Sequence, residues 1–565
     1  MDHACSPAVA LAPVTLIMLG RAADSWLNIF LVMSDDQGFR AALAREWPPL
    51  HRAFSFMKRL FFSVLLLGVF GAARLCGSDL TLHPAFSDHM VLQREKPVAV
   101  FGRGHAGASV SVGFANQSQT TTVKPDGTWQ VTLSALSVST TPSVLTVRSA
   151  DDRIECRDVL VGDVWFCSGQ SNMARPFRAF SELTGTVASV SRPSVRIFSA
   201  AHELSPAPSD VPLSPTNKNE AAFNRWNETS PAVLQEASPL ACYFAAELSD
   251  KLKIPIGIFN CGWGATAIED WIPRDVLDKL RLTDGSISSA IDPISKTPRS
   301  ERYNALVHPF LGVTFKGFLW YQGESNSRWP EDYNILFPAL INCWRERFHA
   351  EDRPFYFVQL APYHNVQWDS SGEAWAWLRE SQTRTLRMVP RTGMTVITDL
   401  GEFEDIHPQS KAAAATRLAL FALRDAGLPV NPVGPFFDSM RIEGNCCFIR
   451  FDHAGSGLEA RRVVMNRQKN QPIGRDPQAF VVEADQVHGF VVCGADQKFV
   501  EAHAAIVGDH VEVWSEAVSS PVAVRYGWAN FPLCNLFSRE GLPAAPFRTD
   551  SFPRPALQKE PKKPR

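Results

Sequence analysis

The sequence lacks several patterns that would indicate a function directly. None of its 11 cysteines forms a C-x-x-C pair, so neither a structural zinc site nor a thioredoxin-like motif is indicated. The formal net charge of −2 on 565 residues provides no basic surplus, and we therefore expect no nucleic-acid partner. The G-x-S-x-G motif of α/β-hydrolases is also missing, because Met173 stands where its second glycine would be.

A long hydrophobic run is absent as well. The apolar stretch Leu60–Phe70 is too short to span a membrane comfortably. It follows two basic residues and precedes small ones, which is the layout of a secretory signal peptide that begins at Met57. We therefore expect residues 57–78 to be a signal peptide and residues 1–56 to be a non-native extension. The mature protein is expected to be secreted or periplasmic, without stable insertion into a membrane.

The remaining chain divides by its hydrophobic pattern. Residues 79–160 alternate short apolar runs with turns and predict an N-terminal β domain. Apolar strands alternate with helical periods over residues 161–428, which predicts a parallel, doubly wound α/β sheet. Residues 429–550 return to short strands and predict a C-terminal β domain. The basic, proline-rich tail at 551–565 is expected to be disordered.

Four polar clusters follow predicted strands of the α/β region. In open α/β sheets, ligand sites form at the carboxyl ends of the strands. We therefore expect the four clusters to meet at one edge of the sheet. They are Ser168–Asn172, Asn260–Thr266, Gln322–Asn326 and Asp399–His407.

The residue types in these clusters suit ester hydrolysis. That reaction needs a nucleophile, a base, a group that orients the base and donors for the oxyanion. Ser171 is the candidate nucleophile, although a serine at this place can also be a helix N-cap. His407 is the candidate base, although a lone histidine can equally be structural. The acids that could orient it are Asp399, Glu402, Glu404 and Asp405.

Longer blocks of the sequence carry a family resemblance. "FSDHMVLQREKPVAVFGRG", "DVLVGDVWFCSGQSNM", "IPIGIFNCGWGATAIEDW", "FKGFLWYQGESN" and "DIHPQSK" resemble the sialate O-acetylesterase family, a branch of the SGNH (GDSL-like) hydrolases. The resemblance extends over roughly residues 79–550. It implies a three-layer, flavodoxin-like catalytic domain between two β-sandwich-like domains.

The resemblance also implies roles for single residues. Ser171 corresponds to the nucleophile and His407 to the base, with Asp405 ranked above Glu404 and Asp399 as the orienting acid. A backbone carbonyl is the other option for that task. The implied oxyanion donors are Gly264 with Gln322 or Asn326, and the implied substrate-binding residues are Asn172, Trp320 and Glu324.

One position departs from the family pattern. The second block usually reads "WGGT", and Ala265 replaces its second glycine here. An alanine still offers a backbone N–H, but at a positive φ its Cβ costs about 1 kcal/mol.

The sequence thus predicts a secreted esterase that removes O-acetyl groups from an acetylated carbohydrate through an acetyl-enzyme. No metal or other cofactor is expected. An acetylxylan or other plant-polysaccharide acetylesterase is the nearest alternative. A non-catalytic carbohydrate-binding protein is an alternative from a different class.

Overall fold

The computed structural model describes residues 80–150, 152–217, 223–280, 299–364, 373–469, 471–472 and 474–554. The predicted signal peptide and the extension before it therefore lie outside the described residues. The same holds for residues 555–565 of the predicted tail.

Short strands form the N-terminal region, as its alternating pattern predicts. β1, β3 and β6 pair as an antiparallel sheet, while β5, β4 and β7 pair in that order as a second one. The strands are β1 (Thr81–Leu82), β2 (Val91–Gln93), β3 (Val98–Arg103), β4 (Ser109–Phe114), β5 (Gln117–Thr122), β6 (Thr128–Leu133) and β7 (Ser139–Ser149).

One long strand, β8 (Asp152–Gly169), joins this region to the central sheet. Its first half pairs antiparallel with β7, and β2 pairs parallel with it from Leu160 to Gly162. Its second half is a central strand of the α/β sheet. The domain boundary predicted at residue 160 falls inside this strand.

The central sheet has the order β10-β9-β11-β8-β12-β13-β14, and only β10 runs antiparallel to its neighbour. The mixed α/β class predicted from the sequence is confirmed. β9 and β10 were not predicted. The strands are β9 (Val195–Ser199), β10 (Trp226–Glu228), β11 (Ile256–Asn260), β12 (Gly317–Tyr321), β13 (Phe355–Val358) and β14 (Thr392–Thr395).

Helices connect these strands. The sequence pattern predicts a helix over residues 239–252, and α4 has these bounds. It begins at Pro239, after Ser238 accepts a hydrogen bond from Ala241 N as the N-cap residue. The sequence pattern predicts the last helix over residues 407–426, but the helix begins only at Lys411. The helices are α1 (Ser171–Ala174), α2 (Val187–Val190), α3 (Pro231–Gln235), α4 (Pro239–Leu252), α5 (Arg274–Leu277), α6 (Glu301–Leu306), α7 (Pro330–Arg347), α8 (Ala374–Met388) and α9 (Lys411–Asp425).

The inner strands of the central sheet are buried on both faces, whereas the edge strand β10 ends at the exposed Glu228. Every residue of β12 is buried, and so is every residue of β13. Aromatic rings fill much of this core, and those of Phe198 and Phe259 stack with centroids 4.0 Å apart. Across the described ranges, no helix combines the length and the hydropathy needed to cross a membrane.

The C-terminal region is rich in β-strands, as predicted. Its sheets have the orders β15-β16-β23-β22 and β21-β20-β24-β26, with the smaller pairs β17-β25 and β18-β19. All described cysteines of the chain are free thiols. The strands are β15 (Phe436–Glu443), β16 (Cys446–Asp452), β17 (Leu458–Ala460), β18 (Val463–Met465), β19 (Phe480–Val482), β20 (Phe490–Cys493), β21 (Val500–Glu501), β22 (His503–Val507), β23 (His510–Trp514), β24 (Ala523–Tyr526), β25 (Leu536–Ser538) and β26 (Phe547–Arg548).

Candidate active site

The carboxyl end of β8 begins the candidate site with a sharp turn. Gly169 has φ +138°, and a Cβ on it would lie 2.2 Å from the carbonyl oxygen of Tyr321 on the neighbouring strand. Only glycine fits this close approach. Gln170 is the N-cap residue of the short helix α1, so Ser171 is its first residue. The interpretation of Ser171 as a capping serine is therefore wrong.

The hydroxyl of Ser171 faces His407. The distance from Ser171 Oγ to His407 Nε2 is 2.9 Å. On the other side of the ring, Nδ1 lies 3.2 Å from Oδ1 of Asp405. The same Oδ1 accepts a hydrogen bond of 3.0 Å from the backbone N–H of His407, which fixes the carboxylate relative to the ring. A serine, an imidazole and a carboxylate thus lie in line within hydrogen-bond distance.

The other acids considered for the orienting role lie elsewhere. Both carboxylate oxygens of Asp399 accept from Arg417 at 2.6 Å. Glu404 is exposed. Glu402 accepts from Gln409 N at 2.9 Å, and burial raises its pKa to about 7. Of these four acids, only Asp405 contacts the imidazole ring.

Asp405 is held in its charged form. Burial raises its pKa, but the hydrogen bonds from the side chain and backbone of His407 outweigh that effect, and the pKa lies below its ordinary value. Lys469, whose side chain is half exposed, adds a positive charge 3.6 Å from Oδ2. An ionised carboxylate beside Nδ1 is what stabilises positive charge on the ring during a proton transfer.

Gly264 lies next to the serine. A Cβ built on Gly264 would be 3.5 Å from the Cβ of Ser171, so the two backbones approach closely. Neither the N–H of Ser171 nor that of Gly264 meets an acceptor among the described residues. Backbone N–H groups close to a serine nucleophile are the donors that can stabilise an oxyanion.

Ala265 adopts the conformation that favours glycine. Its φ is +57°, and its side chain is exposed. The Cβ therefore costs about 1 kcal/mol at this position and gains no burial in return.

We expect Ala265→Gly to stabilise the protein. Relief of about 1 kcal/mol should raise the Tm by about 2 °C in a thermal unfolding experiment. Ala267→Gly is the matched control, because Ala267 lies in the same loop with φ −82° and is buried. That control should lower the Tm, since glycine adds backbone freedom to the unfolded chain without relieving strain. An Ala265→Gly variant with a lowered Tm would contradict the strain argument.

The two amides predicted as oxyanion donors are engaged with other acceptors. Gln322 Nε2 donates to Thr266 O at 3.1 Å and to Asn326 Oδ1 at 2.7 Å. Asn326 Nδ2 donates to Glu269 at 2.9 Å, and its Oδ1 also accepts from Ile268 N. Both amides are buried and tie the end of β12 to the loop that carries Gly264.

The neighbours of Ser171 connect the separate clusters. Gln170 Oε1 accepts from the backbone N–H groups of Gly323 and Ser325 at 3.3 and 3.2 Å. Asn172 Nδ2 donates to Glu324 Oε1 at 2.5 Å and to the carbonyl of Ile406 at 3.0 Å. The side chains on either side of the serine therefore fix the position of α1 against the loops after β12 and β14.

Lys411 completes this network and was not singled out from the sequence. Its ammonium group donates to Asn172 Oδ1 and is almost fully buried. Burial lowers its pKa to about 7, although Glu324, Glu402 and Asp405 oppose that shift. Burial also raises the pKa of Glu324. A lysine at a helix start is normally a surface residue, so only the tertiary structure reveals this one.

We expect Lys411→Met to destabilise the protein strongly. The change leaves the buried Asn172 Oδ1 without its donor, and an unsatisfied buried polar group costs about 1–3 kcal/mol. Thermal unfolding measures the effect. Lys469→Met is the control, because that side chain is half exposed and its loss should cost about 0.5 kcal/mol or less. Equal Tm values for the Lys411 variant and the wild type would contradict the role of the buried cation.

Trp320, predicted to bind substrate, lies in the core. Its side chain is fully buried, and its ring contacts those of Trp271 and Trp344 at centroid distances of 6.0 and 5.7 Å. It has no surface on which a sugar could stack. Trp263, directly before Gly264, is the half-buried tryptophan at the site, and the guanidinium of Arg302 lies over its ring at 4.9 Å.

The C-terminal β region holds the loop of His407. Phe403 N donates to Asn466 O at 3.0 Å, and Glu404 N donates to Arg467 O at 3.2 Å. Ring contacts between Phe403 and Phe480, with centroids 5.1 Å apart, add packing to these bonds. The loop that carries the imidazole is thus fixed by residues from outside the α/β region.

Comparison with known proteins agrees with this geometry. The family described as "Carbohydrate esterase, sialic acid-specific acetylesterase" matches residues 161–420. The sialate O-acetylesterase of Rattus norvegicus is 30% identical over 557 residues, which cover 86% of this chain and 97% of that protein. The human sialate O-acetylesterase is 34% identical over 402 residues, which cover 64% of this chain and 74% of that protein.

A solved structure is similar over most of the chain. It is a carbohydrate acetylesterase from Xanthomonas citri with 34% sequence identity and a TM-score of 0.72. The alignment covers 84% of this chain and 100% of that one. The fold, the site and these relatives define a carboxylic ester hydrolase. The chain belongs to the sialate O-acetylesterase family.

Proposed function

We propose that this enzyme hydrolyses O-acetyl esters of a sugar with Ser171 as nucleophile, His407 as general base and Asp405 as the orienting acid. The observation that carries the proposal is the contact of 2.9 Å between Ser171 Oγ and His407 Nε2, with Asp405 at the opposite ring nitrogen. Asp399 and Glu402 bind other partners, and Glu404 is exposed. The arrangement supports acyl transfer through a covalent intermediate.

The proposed reaction has two halves. His407 Nε2 takes the proton of Ser171 as Oγ attacks the acetyl carbonyl, and the imidazolium then gives that proton to the departing sugar oxygen. In the second half, water loses a proton to Nε2 and attacks the acetyl-enzyme. The C–O bond to Ser171 breaks, Oγ regains its proton from the ring, and acetate leaves.

The oxyanion is proposed to bind to the backbone N–H groups of Ser171 and Gly264. Both lie at the serine, and neither meets an acceptor among the described residues. Gln322 and Asn326 support this pair by fixing the Gly264 loop through Thr266 and Ile268. Asn172 and Glu324 likewise act by positioning α1, because both are buried between the loops.

The layering of the catalytic region is proposed to be of the three-layer SGNH type. α4 packs against α9, and α7 packs against α8. Each of these two helix pairs is proposed to cover one face of the sheet. The strands between them are buried on both faces, as a sheet covered by helices on each side requires.

The substrate is proposed to be an O-acetylated sialic acid, the substrate class named for the mammalian relatives. The test measures acetate release from O-acetylated sialic acid and from acetylated xylan under identical conditions. The proposal expects the higher kcat/KM on the sialic acid ester. A higher kcat/KM on acetylated xylan would assign the enzyme to plant polysaccharides. Failure to release acetate from either would overturn the assignment to sugar esters.

Secretion is proposed from the signal peptide that the sequence predicts at residues 57–78. The prediction concerns residues outside the described part of the chain. N-terminal sequencing of the exported protein is expected to find a start near residue 79. Exported protein that still begins near Met1 would contradict both the cleavage and the assignment of residues 1–56 as non-native.

A further inference from the structure

Arg175 contacts His407 of the proposed triad, and the proposed mechanism gives this arginine no role. Its Nη1 is 2.9 Å from His407 Nδ1, the same ring nitrogen that faces Asp405. Its Nη2 donates to the carbonyl of Ala179 at 3.1 Å, and its guanidinium carbon lies 5.2 Å from the centroid of the Phe180 ring. The guanidinium is therefore seated in a defined place while the side chain keeps partial exposure.

The two partners of Nδ1 require opposite tautomers of His407. A guanidinium has only N–H donors, so its contact is a hydrogen bond only when Nδ1 offers a lone pair. The single proton of the neutral ring then lies on Nε2, beside Ser171. A ring in that state cannot accept the serine proton. A carboxylate at Nδ1 requires the other tautomer, in which Nδ1–H donates to Asp405 and Nε2 is the base.

Arg175 and Asp405 compete for Nδ1, since both lie within hydrogen-bond distance of it. Arg175 is closer to Nδ1 than Asp405 is, at 2.9 against 3.2 Å. Asp405 also has other donors, because its Oδ1 accepts from the backbone N–H of His407 and its Oδ2 faces Lys469. When Arg175 occupies Nδ1, the carboxylate loses the hydrogen bond from the ring but keeps the backbone N–H of His407 and the charge of Lys469.

We propose that Arg175 holds His407 in the inactive tautomer until the carboxylate of a substrate withdraws the guanidinium. The inference rests on the proposed function and adds a requirement to it, namely that the preferred substrate is an acetylated sugar that bears a carboxylate. A carboxylate accepts two parallel hydrogen bonds from a guanidinium, whereas an imidazole nitrogen accepts one. Lys469, whose side chain is half exposed, adds a second positive charge 3.6 Å from Asp405 Oδ2.

The change of tautomer needs no further reactant. When Arg175 leaves, Nδ1 gains a proton from water and Nε2 loses one to water, so the ring stays neutral. Nδ1–H then donates to Asp405, and the Nε2 lone pair faces the hydroxyl of Ser171. Arg175 is thus a positioning residue, which acts on the reaction through His407 and selects substrates by their charge.

The test compares two variants on substrates that differ in one charge. The substrates are an O-acetylated sugar acid, its methyl ester and 4-nitrophenyl acetate. Arg175→Met removes the guanidinium and keeps a side chain of comparable reach. Arg178→Met is the matched control, because Arg178 is exposed and pairs with Glu236 at 2.7 Å, away from the ring.

The wild type is expected to have a kcat/KM about tenfold higher for the sugar acid than for its methyl ester. One hydrogen bond between charged groups changes an affinity by about this factor. Arg175→Met should raise kcat on both neutral esters and should abolish the preference for the acid. Arg178→Met should behave as the wild type does. Equal kcat/KM of the wild type for acid and methyl ester would overturn the proposal, and so would a uniform loss of kcat in Arg175→Met.

The tautomer itself can be observed. Nitrogen NMR of protein labelled at histidine, with His407→Gln to assign the signal, should find the proton on Nε2 in the free wild type and on Nδ1 in Arg175→Met. A wild-type ring protonated on Nδ1 would contradict the proposal. A different result tests the proposed function, which would be refuted if Ser171→Ala retained activity towards 4-nitrophenyl acetate.

Discussion

Ser171→Ala is expected to lower kcat for acetate release by about 10⁴-fold or more, the loss found when a catalytic serine is removed from a triad. The substitution removes only the hydroxyl group, whose oxygen lies 2.9 Å from His407 Nε2. Without it, no acetyl-enzyme forms, and only water attack assisted by the oxyanion donors remains. Hydrolysis of 4-nitrophenyl acetate and of an acetylated sugar measures the effect.

Ser168→Ala is the matched control for this experiment. Ser168 lies three residues earlier at the end of the same strand and is fully buried. Its hydroxyl donates to the carbonyl of Cys261 at 3.4 Å, not to His407. The control should keep kcat within a few-fold of the wild type. Comparable losses in both variants would mean that serine removal disturbs the strand end, and comparable activity of Ser171→Ala and wild type would refute the mechanism.

Asp405→Asn is expected to lower kcat by about 10³-fold or more with little change in KM. Asparagine has nearly the same shape as aspartate but carries no charge. Its side-chain N–H₂ can face Nδ1 as a donor, which fixes the proton of His407 on Nε2 and leaves no base for the serine. The pKa of Asp405 is already lowered by the His407 hydrogen bonds, so the charged form is the one that is lost.

Glu404→Gln is the control that distinguishes the contact between Asp405 and Nδ1 from the general charge of the loop. Glu404 is exposed and precedes Asp405 directly, so the change removes one carboxylate of the same loop. We expect kcat to stay within a few-fold of the wild type. If Glu404→Gln lost as much activity as Asp405→Asn, the general charge of the loop would matter and not the contact with Nδ1. A fully active Asp405→Asn would leave orientation of the ring to a backbone carbonyl.

Helices and strands were predictable from the sequence where their hydrophobic pattern matches the way they pack in the fold. The apolar period of α4 gave its bounds, and the cap at Ser238 that the structure shows agrees with its start. β9 was missed because its five residues, all buried, show neither alternation nor a helical period. The start of α9 was placed four residues early. Residues 407–410 form a loop there, since His407 N bonds to Asp405 and Gln409 N bonds to Glu402.

The candidate site was predictable in its chemistry and less so in its supporting contacts. Ser171, His407 and Asp405 follow from the motifs, and the structure brings them together. Trp320 was misassigned because the sequence alone does not distinguish an aromatic core residue from an aromatic binding residue in an apolar strand. The structure does, since β12 is covered on both faces. Lys411 gave no sequence signal, since its burial depends on loops far apart in the chain.

The length of β8 restricts how this protein can change in evolution. One uninterrupted strand pairs with β7 and β2 at its start and with β11 and β12 at its end. Inserting or deleting a single residue within it would turn the side chains of one half to the opposite face. Ser171 follows this strand directly, so such a change would displace the nucleophile or unpair the N-terminal strands. Variation in length is therefore tolerated in the connecting loops and not in the strand that leads to the serine.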